Sequence, residues 1–145
     1  MEIKTIDQKI EINAPADKVW EVLWNKNSYE QWTSAYSQGS HYTGEIEAGN
    51  VIRFLSADKT GMQSKVVRKV DNREMVFEHT HEILNGELGN KLGNLEESYF
   101  LEEEEGKTTL HIKSDMPAEY FTAIDEATKD AFVDSTTKCN ISLQR

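Results

Sequence analysis

The sequence predicts an α+β domain in which a curved antiparallel sheet of about six to seven strands wraps around a long C-terminal helix, with two short helices after strand 1. Three observations carry this expectation. A strand hands over to a helix at Asn13-Ala14-Pro15-Ala16. From His41 to Lys113, short runs of alternating apolar and polar residues are separated by Gly, Asn and Asp. From Pro117 onward the apolar spacing changes to threes and fours. At 145 residues, 37% of them hydrophobic, the chain can bury one core, so a single domain over 1–145 is expected.

The elements follow in order. Ile6, Ile10 and Ile12 stand among Asp7, Lys9 and Glu11, the alternation of a half-buried strand. Pro15 suits the first helical position and Asp17 puts negative charge at the positive end of the helix dipole. Ala16, Val19, Trp20 and Leu23 then build one apolar face. Asn25 to Ser37 holds Tyr29, Trp32 and Tyr36 at helical spacings, which predicts a short second helix with its aromatics inward. His41 to Ile46 and Val51 to Ser56 read as strands around Glu47-Ala48-Gly49-Asn50. Met62 to Val70 and Met75 to Leu84 form a second pair through Asp71-Asn72-Arg73.

Asn85 to Asn94 carries three glycines and three asparagines. It reads as a mobile loop and a candidate lid, with a plain surface excursion as the alternative. Leu95 to Glu103 and Lys107 to Lys113 read as a hairpin across Glu104-Glu105-Gly106. Tyr120, Phe121, Ile124, Ala127, Ala131, Phe132 and Ser135 keep helical spacing in one long final helix.

Element order, the Ala14-Pro15-x-x-x-Val19-Trp20 start, Trp32 and the Gly106-Lys107-Thr108-Thr109-Leu110 hairpin together resemble the SRPBCC superfamily, whose START-like and birch-pollen-allergen-like members share a helix-grip fold. The nearest branch resembles the family named for activators of heat-shock-protein-90 ATPase. Two departures concern the ligand rather than the fold: Gly49-Asn50 stands where a Gly-Gly pair is usual, and the glycine-rich segment after Leu84 departs from the family's pattern. The resemblance implies a cavity between sheet and final helix that holds an apolar or amphipathic small molecule.

Strand period selects the side chains that could meet such a ligand. Met75, Phe77, His79, His81 and Ile83 share one face of their strand, opposite Glu78, Thr80 and Glu82. Ile52 and Phe54 face the same way from an earlier strand, and Tyr99 with Leu101 from a later one. In Met62 to Val70 the even set, including Ser64, Val66 and Arg68, is taken as inward. Phe121, Ile124, Thr128 and Phe132 form the facing stripe of the final helix. The candidate ligand-binding residues are therefore Trp32 and Tyr36 from the second helix, Phe54, Val66, Arg68, Met75, Phe77, His79 and Tyr99 from the sheet, and Phe121, Ile124 and Phe132 from the final helix. His79 could hydrogen-bond a ligand carbonyl or hydroxyl, and Arg68 a ligand carboxylate. The plain alternatives are a histidine satisfied by its neighbours and an arginine that snorkels to water.

The formal net charge of −10 argues against a nucleic-acid partner and an anionic membrane surface, and with no apolar run of spanning length no membrane insertion is expected. Cys139 is the single cysteine, so no intramolecular disulfide can form, and with no apolar run of spanning length a cytoplasmic setting is expected. Its place near the end of a helix disfavours a nucleophilic thiol. No nucleophile elbow, phosphate loop or dinucleotide fingerprint occurs, and no cofactor is expected. His79 and His81 are two apart on one face, with His41 and His111 elsewhere, too few converging donors for a zinc site. Two alternatives stay open beside ligand binding: an enzyme with His79 as acid or base, and a co-chaperone-like interaction module. Monomer and dimer are both open.

Overall fold

The computed structural model describes residues 2–34, 36 and 38–129, the Asn94 side chain excepted. Strand β1 is Ile3–Ile12, followed by helices α1, Ala16–Trp24, and α2, Lys26–Thr33. Six further strands follow: β2 His41–Thr43, β3 Val51–Leu55, β4 Gly61–Val70, β5 Glu74–Leu84, β6 Glu87–Glu104 and β7 Lys107–Pro117. A 3₁₀ turn, Ala118–Tyr120, leads into a helix over residues 121–129, here α3. The sheet order is β1-β7-β6-β5-β4-β3-β2 with every pair antiparallel. This is the helix-grip architecture the sequence predicts. None of the described helices is long and apolar enough to cross a membrane.

Because β1 and β2 lie on opposite edges of the sheet, the α1–α2 pair that joins them must cross its inner face. That crossing closes one end of the sheet. Pro15 supplies no side-chain cap to α1. A carboxylate oxygen of Glu103, from β6, accepts from the Ala16 N–H at 2.6 Å instead, tying the helix start to the sheet. Asn25 ends α1 and begins α2, its side chain accepting from the N–H groups of Asn27 and Ser28. The Gly-Lys-Thr-Thr-Leu hairpin has a structural reason as well. Thr108, fully buried, donates to the Ala14 carbonyl at 2.7 Å and locks the β1–α1 corner, while Leu110 enters the core.

Four expectations change. Asn85 to Asn94 is not a mobile loop. Asn85 and Gly86 both take positive φ, 51° and 84°, and make a two-residue turn of the kind that matches strand twist, so β6 starts at Glu87. The remaining glycines and asparagines lie where β6 bulges. From His79↔Leu95 to His81↔Lys91 and then Ile83↔Leu88, β6 uses extra residues against two of β5 at each step. The strand of His41 ends at Thr43 rather than Ile46, and α2 is shorter than the expected Asn25 to Ser37.

Arg68 is the fourth change. Val66 pairs with Phe77, but Arg68 pairs with Val76, so Val67 is the extra residue of a bulge and the inward phase of β4 breaks after Val66. Arg68 consequently points outward, 64% exposed, with its Nε 3.0 Å from Glu74.

Candidate ligand-binding site

Beyond the α1–α2 end, the inner face of the sheet is not filled. A cavity of about 460 Å³ lies there, walled by Trp32, Tyr29 and Tyr36 on one side, by Phe54, Ile83, Leu95 and Tyr99 from the sheet, and by Ile124 and Thr128 from α3. Its rim includes Ser40, His41, Met62, Glu82, Asp115 and Tyr120. Leu92 reaches the wall from the bulged half of β6. Gly61 stands at the β3–β4 corner, where a Cβ would sit 1.8 Å from the Phe54 carbonyl oxygen, so only glycine lets these strands meet beside the opening.

The predicted residues divide between this wall and the packed core. Trp32, Tyr36, Phe54, His79, Tyr99 and Ile124 line the cavity. Val66, Met75 and Phe77 are fully buried in the core behind it. Phe77 meets Trp24 and Phe54 edge to face at centroid distances of 5.4 and 5.0 Å, and its ring has no open side toward a ligand. Phe121 lies under the Lys4 ammonium at 5.3 Å, away from the wall. Phe132 lies outside the described residues. Arg68, facing solvent, cannot meet a ligand in this space.

A residue the sequence reading passed over supplies the site's charge. Glu97 shares its strand face with Tyr99 and Leu95, and period two alone could have put it inside. Its neighbour Glu96 is exposed on the opposite face, so Glu97 is the inward half of that acid pair. One of its carboxylate oxygens is 3.2 Å from His79 Nε2, and the other accepts a short hydrogen bond from the Tyr99 hydroxyl. On its far side, His79 Nδ1 is 2.6 Å from Ser64 Oγ.

Since a carboxylate only accepts, Nε2 carries the hydrogen toward Glu97, and in the neutral ring Nδ1 accepts from the Ser64 hydroxyl. Ser64 is fully buried and absent from the cavity wall, so this serine orients His79 and is not placed to attack a ligand.

The electrostatics follow from burial. Desolvation pulls the Glu97 carboxyl upward, yet the hydrogen bond and charge of His79 and the Tyr99 hydroxyl outweigh it and hold the group below its ordinary range. The 22% of its side chain left open faces the cavity it lines. Burial first, then the Glu97 charge, push the Tyr99 phenol well up, so Tyr99 stays a neutral donor. Burial raises Tyr36 likewise, opposed by the hydroxyl of Thr128, which accepts from Tyr36 Oη at 2.8 Å across the gap between α3 and the segment after α2. Deep in the wall the arrangement offers aromatic surface, the Glu97 carboxylate as acceptor and a fixed phenol. His111 lies on the opposite face of its strand from Leu110 and Ile112 and pairs with Asp7 at 2.6 Å.

A family model described as "Polyketide cyclase / dehydrase and lipid transport" matches residues 4–141. No curated protein matches the chain in sequence. Among solved structures, protein MLL2253 from Mesorhizobium loti superposes with a TM-score of 0.74 at 11% identity, over 96% of this chain and 98% of that one. The Aha1 dimer from Colwellia psychrerythraea gives 0.68 at 15%, over 90% and 92%. DynU16, a putative protein in the dynemicin biosynthetic locus, gives 0.70 at 16%, over 92% of this chain but only 46% of that one. At these identities the likeness is one of fold.

Proposed function

The chain belongs to the family described as polyketide cyclase / dehydrase and lipid transport, within the SRPBCC superfamily, and from that premise we propose that it is a binding domain for a small apolar or amphipathic molecule held between the sheet and α3. One observation carries the reading: the 460 Å³ cavity is walled by aromatic and aliphatic side chains yet presents the connected polar group His79–Glu97–Tyr99 on one wall, with Ser64 behind His79. An apolar enclosure with a few converging polar atoms is what small-molecule sites have in common. Affinity would come chiefly from apolar burial, roughly 25 cal/mol per Å² before ordering costs. The place of the fold neighbour DynU16 in a biosynthetic locus is in keeping with a small-molecule ligand.

A native mass spectrum of protein purified without denaturation should retain a small apolar adduct, and Ile124→Trp, which thrusts an indole into the wall, should lose it. Protein that carries no adduct and binds no polycyclic aromatic probe would refute the reading.

An enzymatic reading draws on the same polar group. His79 as a free acid or base is weakened because both its nitrogens are engaged, which leaves Glu97 and Tyr99 as the groups beside the void. Loss of turnover in Glu97→Gln with ligand affinity kept would favour it. A co-chaperone role has only the fold likeness to the Aha1 dimer behind it, and fold does not carry function.

A further inference from the structure

We propose that the cavity selects against negative charge, taking a ligand whose polar end is a neutral or cationic hydrogen-bond donor, and that Glu97 is the residue that sets this preference. The inference rests on the binding role proposed above and adds the chemistry of the ligand's polar end. Among the described lining residues there are three carboxylates, Glu82, Glu97 and Asp115, and no lysine or arginine. Against these three carboxylates the described lining sets two histidines, His41 and His79, so it stays net negative whatever charge they carry.

Arg68, the cation that the β4 pattern brought inward, is turned to solvent by the bulge at Val67 and cannot neutralise a ligand acid. A carboxylate pushed into this space would be stripped of water, meet Glu97 at short range and find no lysine or arginine among the described lining residues, an unfavourable combination in a poorly screened interior.

A donor fares differently. Each Glu97 oxygen already accepts one hydrogen bond, from His79 or from Tyr99, and a carboxylate has about four lone-pair directions. Acceptor capacity therefore remains on the part of Glu97 that opens to the cavity. An amine or hydroxyl at the end of an apolar body completes it. The Tyr99 hydroxyl, already committed to Glu97, is not a free donor for a ligand acid.

Three anthracenes of one shape test this by fluorescence titration at pH 7: 1-aminoanthracene, anthracen-1-ylmethylammonium and anthracene-1-carboxylate. The first two should bind at least tenfold tighter than the carboxylate. Glu97→Gln, confirmed folded by circular dichroism, should shrink that ratio severalfold. If the carboxylate binds the wild-type protein as tightly as the amines, the charge preference is wrong while the binding role stands. Failure of all three to bind overturns both. The wild-type comparison needs no variant, so misfolding of Glu97→Gln would not shelter the proposal. A folded Glu97→Gln with an unchanged ratio would remove Glu97 from the role.

Discussion

Strand β5 contributes to two ends of one interior that behave oppositely. At its start, Met75 and Phe77 are sealed against α1, with Trp24 edge-on to both Phe77 and Tyr99. Two residues further on, His79 and Ile83 border an open cavity. The same inward phase thus serves a filled core and a hollow, and what separates them is what lies opposite. The α1–α2 pair delivers Trp24, Tyr29 and Trp32 onto the sheet at one end, whereas α3 spans the other end on Ile124 and Thr128. Side-chain volume facing the strand, rather than the strand's own sequence, decides whether a ligand has room.

Breaking the filled end should cost most. Phe77→Ala removes a fully buried ring in edge-to-face contact with Trp24 and Phe54, and about 3–5 kcal/mol of stability should vanish in urea titration. A loss under about 1 kcal/mol would mean this end is loosely packed. At the hollow end, Glu97→Gln should cost less, about 1–3 kcal/mol at neutral pH, since it weakens the charge-assisted bond from His79.

This substitution also sharpens the contrast through pH. The folded-state carboxyl lies below its ordinary value of 4.5, so its stabilisation is present above that value and fades as pH falls through the lower folded-state value. The stability gap between wild type and Glu97→Gln should close in that acid range. A gap that holds constant down the acid limb would contradict the assignment. Arg68→Ala should do almost nothing, within about 0.5 kcal/mol and with probe binding unchanged, because its ion pair with Glu74 is largely exposed.

The errors in reading the chain share one cause. A bulge moves side chains between faces without changing composition, so the even phase of Met62 to Val70 looked continuous through Arg68 and was not. Likewise the glycines and asparagines after Leu84 read as loop. Asn85-Gly86 is a two-residue hairpin turn and the rest bend β6 over the cavity. Glu97 was discoverable by alternation from Tyr99, but a charged residue is ordinarily assigned to solvent unless a partner is known. Its partners, His79 on β5 and Tyr99 two residues along, meet it only once β5 and β6 are paired.

What the sequence by itself determined is local and periodic: the β1–α1 boundary at Pro15, the inward set Met75, Phe77, His79 and Ile83, the order of elements, and the Thr108 hairpin. These follow from backbone propensity and from the fixed repeat of strand and helix. Tertiary structure alone decided where the interior is full and where it is empty, which way Arg68 turns, and that a carboxylate sits in the wall. Each of those depends on register and on the volume arriving from a distant segment, and neither quantity is written in any single stretch of chain.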